Sequence, residues 1–406
     1  MKAAVGYSDH PDTIKAGRQA AQEAMRNARR NDPCDLALLF ATSHHDAVIL
    51  RDAVAGIVGS AARIVGGGAV GTITNDHYGY AGDQVSIACF WLDGLPVNIF
   101  DEAGMRDSEF EVGRRLGQTM ISSEIDRDTS VMLFYDSIDR TGGNVRLLMA
   151  SQLLAGINDA RGFIPDNLVG AGLMGDYACT STSQWTGNGV ADGHAMLLHF
   201  PDDIKIDNII MHGCRPATGY YTVTKAEGPV ILEINNEPAI QFLDRMLGPA
   251  VTHERFPFFL LLGINNGERW GEFKEHQYAS RLCLGLDMDR GGIVMFESDM
   301  TAGTEFQIMY RSLDLEYMRP RIEKVFEQLD GREPVFAFYI DCAGRAAGYG
   351  GVDIEDAVMV QNTVAGRVPL LGIYSGVEIA AVSGPPRGLD WTGVFCLFSV
   401  AEKEAP

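Results

Sequence analysis

The sequence predicts an α/β protein of mixed layered sheets with helices, with an internal duplication in its N-terminal half and two intimately packed halves. Three observations lead there. Apolar strand-like runs alternate with segments whose apolar residues recur at helical spacing. The glycine pattern of "IVGGGAVG" (Ile64 to Gly71) returns in "LVGAGLMG" (Leu168 to Gly175), so that Gly66, Gly68 and Gly71 match Gly170, Gly172 and Gly175. At 406 residues, with 46% hydrophobic and 21% charged residues, the chain exceeds one ordinary core and has the composition of a globular protein.

In chain order, "TIKAGRQAAQEAM" reads as a helix and "DLALLFATS" as a buried strand. "DAVILRDAVAGIVGS" is a second helix, and "AARIV" leads into the first glycine motif as a strand. G-x-G-x-x-G there raises a dinucleotide-binding turn, which needs a helix directly after it to hold the pyrophosphate. The next residues, "TITNDHYGYAGD", are β-forming and then turn-rich, and they lead into the strand "QVSIACFW". The motif therefore reads as backbone conformation: a tight strand-to-strand turn, or close approach of another backbone.

The second repeat matches element for element. "EFEVGRRLGQTMI" stands for the first helix, pairing Gly113-Arg114 with Gly17-Arg18 and Gln118 with Gln22. "SVMLFYDS" stands for the first strand and "NVRLLMASQLLAGIND" for the second helix. The repeat period of roughly 100 residues is too long for a solenoid. The repeat runs out near "HAMLLHFPDD", and we place a boundary within 205–225, giving domains 1–210 and 211–406. Beyond it, "GPVILEINNEPAIQFLDRML" reads as strand, Asn-Asn turn and an amphipathic helix opened by Pro238. Further strands, the helix "LEYMRPRIEKVFEQLDG", a third strand–turn–helix from "PVFAFYIDCAGR", and the strands "VPLLGIYSGVEIAAV" and "GVFCLFSV" complete the chain.

A formal net charge of −21 argues against nucleic-acid phosphates or an anionic membrane as partners. Seven scattered cysteines, none in a C-x-x-C pair, exclude a zinc ribbon and a disulfide framework and fit a reducing compartment. The N-terminus lacks a signal-peptide h-region and no apolar run is long enough to span a membrane, so a cytoplasmic location is expected.

With these segments in view, the chain resembles the FIST family across nearly its whole length. The resemblance rests on "LLFATSHHD", the two glycine motifs, the junction "MHGCRPATGYYTVTKAEGPVILEINNEPA", "YIDCAGRAAGYG" and "LGIYSGVEIA" in this order. It implies a FIST N-terminal and a FIST C-terminal domain in an intracellular sensory protein of bacterial signal transduction, binding a small ligand, with amino acids the usual suggestion. Some members look like haem proteins that sense nitric oxide, so the cofactor stays open, with haem the group the resemblance raises. With no kinase, receiver or GGDEF-like segment in the sequence, signalling is expected to pass to a separate protein such as a histidine kinase or a cyclic-di-GMP enzyme.

Candidate ligand-binding residues come from the carboxyl ends of strands, where ligands collect in layered α/β folds. These are "SHHD" with His44, His45 and Asp46; "DSIDR" with Asp136, Asp139 and Arg140; and "DCAGR" with Asp341, Cys342 and Arg345. We expect them around one cavity, the alternative being that their Asp and Ser residues cap helices. Arg345 and Arg140 offer planar forks for a carboxylate, or else pair with acidic side chains. His212 and Arg215 in "HGCRP" join the set; His212 or Cys214 would suffice to ligate a haem, whereas the segment is poor as a metal site. Tyr374 and Glu378 complete it as a donor and an acceptor for an amino group, or else mark an ordinary strand edge. No nucleophile motif occurs, Cys342 being the sole activated-thiol candidate, and the expectation is no enzyme.

Overall fold

Each of the two repeats folds as strand–helix–strand–helix–strand. The computed structural model describes residues 1–401 apart from 181, 188 and 258. In the first unit the strands are Lys2–Ser8, Leu36–Ala41 and Arg63–Gly68, with helices Thr13–Ala28 and Ala47–Val58 between them. In the second they are Asn98–Ala103, Val131–Asp136 and Leu168–Leu173, with helices Glu109–Ser122 and Ala150–Arg161. Asp12, Asp46 and Ser108 each accept a hydrogen bond from the backbone N–H three residues on, so Asp46 does cap a helix.

The unit occurs a third time. Ile204–Met211, the Met318–Glu327 helix, Arg332–Cys342, the Asp356–Val364 helix and Leu370–Ser375 repeat the order, with a large insertion before the first helix. Each unit builds a six-stranded sheet around a parallel pair: 36–41 with 63–68, 131–136 with 168–173, and 332–342 with 370–375. One flank of every sheet is borrowed. Gly71–Thr74 leaves the first unit and joins the third sheet, Gln184–Gly187 leaves the second and joins the first, and Val377–Ala381 leaves the third and joins the second. No unit completes its sheet alone.

The parallel pair inside each unit explains the first glycine of each motif. Gly66, Gly170 and Gly372 occupy matching places, and a Cβ at any of them would run into the carbonyl oxygen of Leu39, Leu133 or Tyr339 on the adjoining parallel strand. Only glycine permits that approach. The inner faces of the three sheets meet in one core that packs the N-terminal half against the C-terminal half. At its centre Phe40, Phe134 and Phe338, one from each sheet, lie with ring centroids 5.4, 5.7 and 6.0 Å apart. Helices cover the three outer faces through separate apolar clusters.

The insertion is a small barrel. Strands 305–311, 221–227, 230–234, 292–295, 278–287 and 261–265 form a ring in which the last pairs back to the first. Val223, Ile231, Leu262, Ile293 and Phe306 fill it, and Phe242 and Leu243 of the Ala239–Leu247 helix plug it. The chain leaves the core through His212–Cys214 and returns through Arg311–Ser312. The two crossings lie side by side, Cys214 paired with Arg311 and the Ser312 N–H donating to the Gly213 carbonyl at 2.8 Å. Gly213, at φ 64°, sits against the Tyr317 ring, where a Cβ would lie 2.9 Å from Cε1.

Candidate functional site

One loop gathers the ends of all three parallel pairs. Asp176 accepts from the Ser43 hydroxyl at 3.4 Å, the Cys179 and Ala178 carbonyls accept from Arg140, and the Tyr177 hydroxyl donates to the Ala343 carbonyl at 3.0 Å. The candidate residues nevertheless surround separate spaces. At the first end, His45 is buried with Nε2 2.9 Å from the Asp83 carbonyl and Nδ1 3.2 Å from the Thr13 hydroxyl. With Thr182 and Trp185 it lines a cavity of about 80 Å³. His44 is exposed and pairs with Asp83 at 3.0 Å. At the second end Arg140 is spent on the two loop carbonyls, Asp139 pairs with Arg146 at 3.1 Å, and burial pushes the Asp136 carboxyl up to about 6.

The third end is a dense buried network centred on Arg345. Its Nε donates to Asp341 at 3.2 Å, and Nη1 donates to the carbonyls of His212 at 3.0 Å and Trp391 at 3.3 Å. Nη2 donates to the Tyr317 hydroxyl at 3.2 Å and to Asp356. All five N–H donors of the guanidinium are thus engaged, and none is left for a ligand. Burial, reinforced by Asp356, holds the Asp341 carboxyl well above the usual range. Its second oxygen has no hydrogen-bond partner among the described residues.

Tyr374 donates to Glu355 at 3.2 Å beneath the Tyr80 ring. Glu378, on the borrowed strand, accepts from the Ser375 hydroxyl at 2.8 Å and the Thr392 N–H at 3.3 Å. Those two candidates go to different partners. Burial and the nearby Glu378 push the Cys342 thiol far up, which removes the thiolate a nucleophile would need. Arg215 stands apart, exposed, with its guanidinium 5.5 Å from the Phe273 ring centroid.

His212 is buried and held neutral by that burial. Its Nδ1 accepts from the Cys214 N–H at 2.9 Å and its Nε2 lies 3.1 Å from the Glu275 carbonyl. Burial raises the Cys214 thiol to about 12. With both ring nitrogens engaged and the thiol protonated, this junction does not fit a haem ligand set. Among the described residues no group of three or more His, Cys, Asp or Glu side chains could hold a metal ion.

Beside Arg345, between the barrel crossings and the core, lies a cleft of about 20 Å³ lined by His212, Arg311, Tyr317, Arg345, Asp356 and Trp391, among others. Two sequence candidates, His212 and Arg345, therefore do share a site. Sequence reasoning misses Arg311, Asp356 and Trp391, since "MYRS", "DIEDAV" and "LDWTG" carry no motif. A groove of about 720 Å³ holds none of the candidates; it lies where the borrowed 71–79 hairpin meets the end of the 356–364 helix. A groove of about 580 Å³ recurs at the matching place in the second unit, between the 150–161 helix and the borrowed 377–389 hairpin, which makes such grooves a product of the architecture.

Family models match the chain over 35–237, the FIST N domain, and 239–381, the FIST C domain. Two uncharacterized proteins of Mycobacterium tuberculosis, one from strain CDC 1551 / Oshkosh and one from strain H37Rv, are each 25% identical over 98% of this chain and all of their own length. An uncharacterized protein of Mycobacterium bovis is 28% identical over 47% of this chain and 50% of its own. Among solved structures, cyanuric acid hydrolase from A. caulinodans aligns over 99% of both chains at 10% identity with a TM-score of 0.32, too low a likeness to argue from. No helix among the described residues is long and apolar enough to cross a membrane. The chain belongs to the FIST family, whose domains are associated with ligand binding in sensory signal transduction.

Proposed function

We propose that the protein is a sensor that takes a small polar, amino-acid-like ligand into the cleft between barrel and core, and signals to a separate protein through movement of the barrel. The observation that carries this reading is the position of the cleft: both chain crossings into the barrel line it, and Arg345 and Asp356 form its wall on the core side. A space of about 20 Å³ holds about one water molecule. Admitting a ligand therefore means displacing the barrel, and a ligand that binds only the opened arrangement shifts the population toward it. Signalling follows from differential binding without any covalent step, and the protonated Cys342 thiol favours this over an enzymatic role.

The test is a thermal-shift screen of the full chain against the free amino acids, backed by titration calorimetry. A saturable rise in Tm with at least one of them is the expected result. No saturable binding of any of them to the full chain would overturn the reading.

A further inference from the structure

We infer that Arg311, and not Arg345, is the group that reads the ligand, and that the ligand's recognised end is a carboxylate. This rests on the sensor reading above. Arg311 lines the cleft with its guanidinium 5.0 Å from the Trp391 ring centroid. It is only partly exposed, yet it has neither an ion pair nor a hydrogen bond among the described residues. In a chain with a net charge of −21, a sheltered arginine that no acidic side chain has claimed is a donor fork left vacant.

The surroundings fix the sign of what fills it. Arg311 and Arg345 are the cations lining the cleft, Asp356 is the anion, and His212 is held neutral by burial. Asp356 is already bound to Arg345, so the unmatched charge is positive. Burial and the neighbouring Arg345 both disfavour the charged form of Arg311, and an anion bound between barrel and core offsets that penalty. A planar carboxylate fits the guanidinium in two parallel hydrogen bonds. The Trp391, Leu315 and Val352 side chains give the rest of a small organic acid an apolar wall. Because Arg311 is the first residue of the return crossing, its partner pulls directly on the junction that positions the barrel.

The experiment is calorimetry and thermal shift on the full chain with the twenty amino acids, their α-amides, and inorganic phosphate as probes, for wild type, Arg311→Gln, Arg311→Lys and the exposed control Arg18→Gln. We expect amino acids to bind wild type and their amides not to, and Arg311→Gln to bind about 10- to 100-fold more weakly. Arg311→Lys keeps the charge without the fork and should fall between, while Arg18→Gln should match wild type. Unchanged circular dichroism and Tm without ligand separate lost binding from lost folding. If amides bind as well as acids, or Arg311→Gln binds like wild type, the Arg311 assignment fails and the sensor reading stands. If phosphate binds at Arg311 and amino acids do not, the carboxylate assignment fails. If no probe binds wild type, the sensor reading fails and this inference with it.

Discussion

Replacing Glu297 by Gln should make the protein less stable in weak acid and more stable in weak base, with the two stability curves crossing in between. Glu297 belongs to the barrel, yet it caps a core helix. Its carboxylate accepts from the backbone N–H groups of Ala150 at 3.2 Å and Ser151 at 3.0 Å, at the start of the 150–161 helix, where Met149 supplies no side-chain cap. Burial, with Asp390 nearby, pushes its carboxyl from 4.5 up to about 7. A carboxyl raised in the folded state holds its proton more tightly there than in the unfolded chain. Its contribution is therefore fully present below about 4.5 and is lost as pH climbs toward about 7. A shift of that size corresponds to about 3 kcal/mol. Glutamine cannot ionise and keeps one carbonyl acceptor, losing one of the two bonds at about 1 kcal/mol. The variant should then be about 1 kcal/mol less stable near pH 4.5 and about 2 kcal/mol more stable near pH 8. Urea denaturation of both proteins at half-unit steps between these limits gives the difference directly. Parallel curves would refute the reasoning, because they would mean that Glu297 titrates like a solvated carboxyl and that the barrel–core contact is open to water.

The same geometry predicts further outcomes. Arg345→Ala leaves Asp341 and Asp356 buried without their cation, which should cost about 3–5 kcal/mol and appear as a large drop in Tm with or without ligand. Gly213→Ala meets both a left-handed φ and the Tyr317 ring, so a loss of about 1–3 kcal/mol in denaturant melts is expected. Gly66→Ala drives a methyl into the Leu39 carbonyl and should yield insoluble or unfolded protein. Gly56→Ala, in a helix with open space around the new methyl, should stabilise by up to about 1 kcal/mol, and a loss of stability there would count against the packing described for the first unit.

Much of the fold is legible along the chain. The paired helices, the strands before and after each glycine motif, and the absence of a helix after "IVGGGAVG" all follow from apolar spacing and turn residues, which are local properties. The third copy is legible as a strand–turn–helix but not as a repeat. The barrel separates its first strand, Ile204–Met211, from the rest, and "LLGIYSG" keeps Gly372, where the close approach demands it, but has Tyr374 in place of the second glycine of the motif. The borrowing of strands leaves no trace either, because strands of four or five residues such as "GTIT", "QWTG" and "VEIAA" share no pattern that tells which sheet they enter.

The candidate site divides the same way. Sequence by itself determined that Arg345 stands at the end of a strand and that His212 lies in the junction between the halves. Only the tertiary structure decided their roles. It surrounds Arg345 with five acceptors, binds both nitrogens of His212, and sends Tyr374 and Glu378 to different partners. Arg311 had no signal in the sequence, because what marks it is the lack of a partner, and partners come from segments far apart along the chain. Local order is written in the spacing of residues; whether a charge is matched depends on which distant groups the fold brings within a few ångströms.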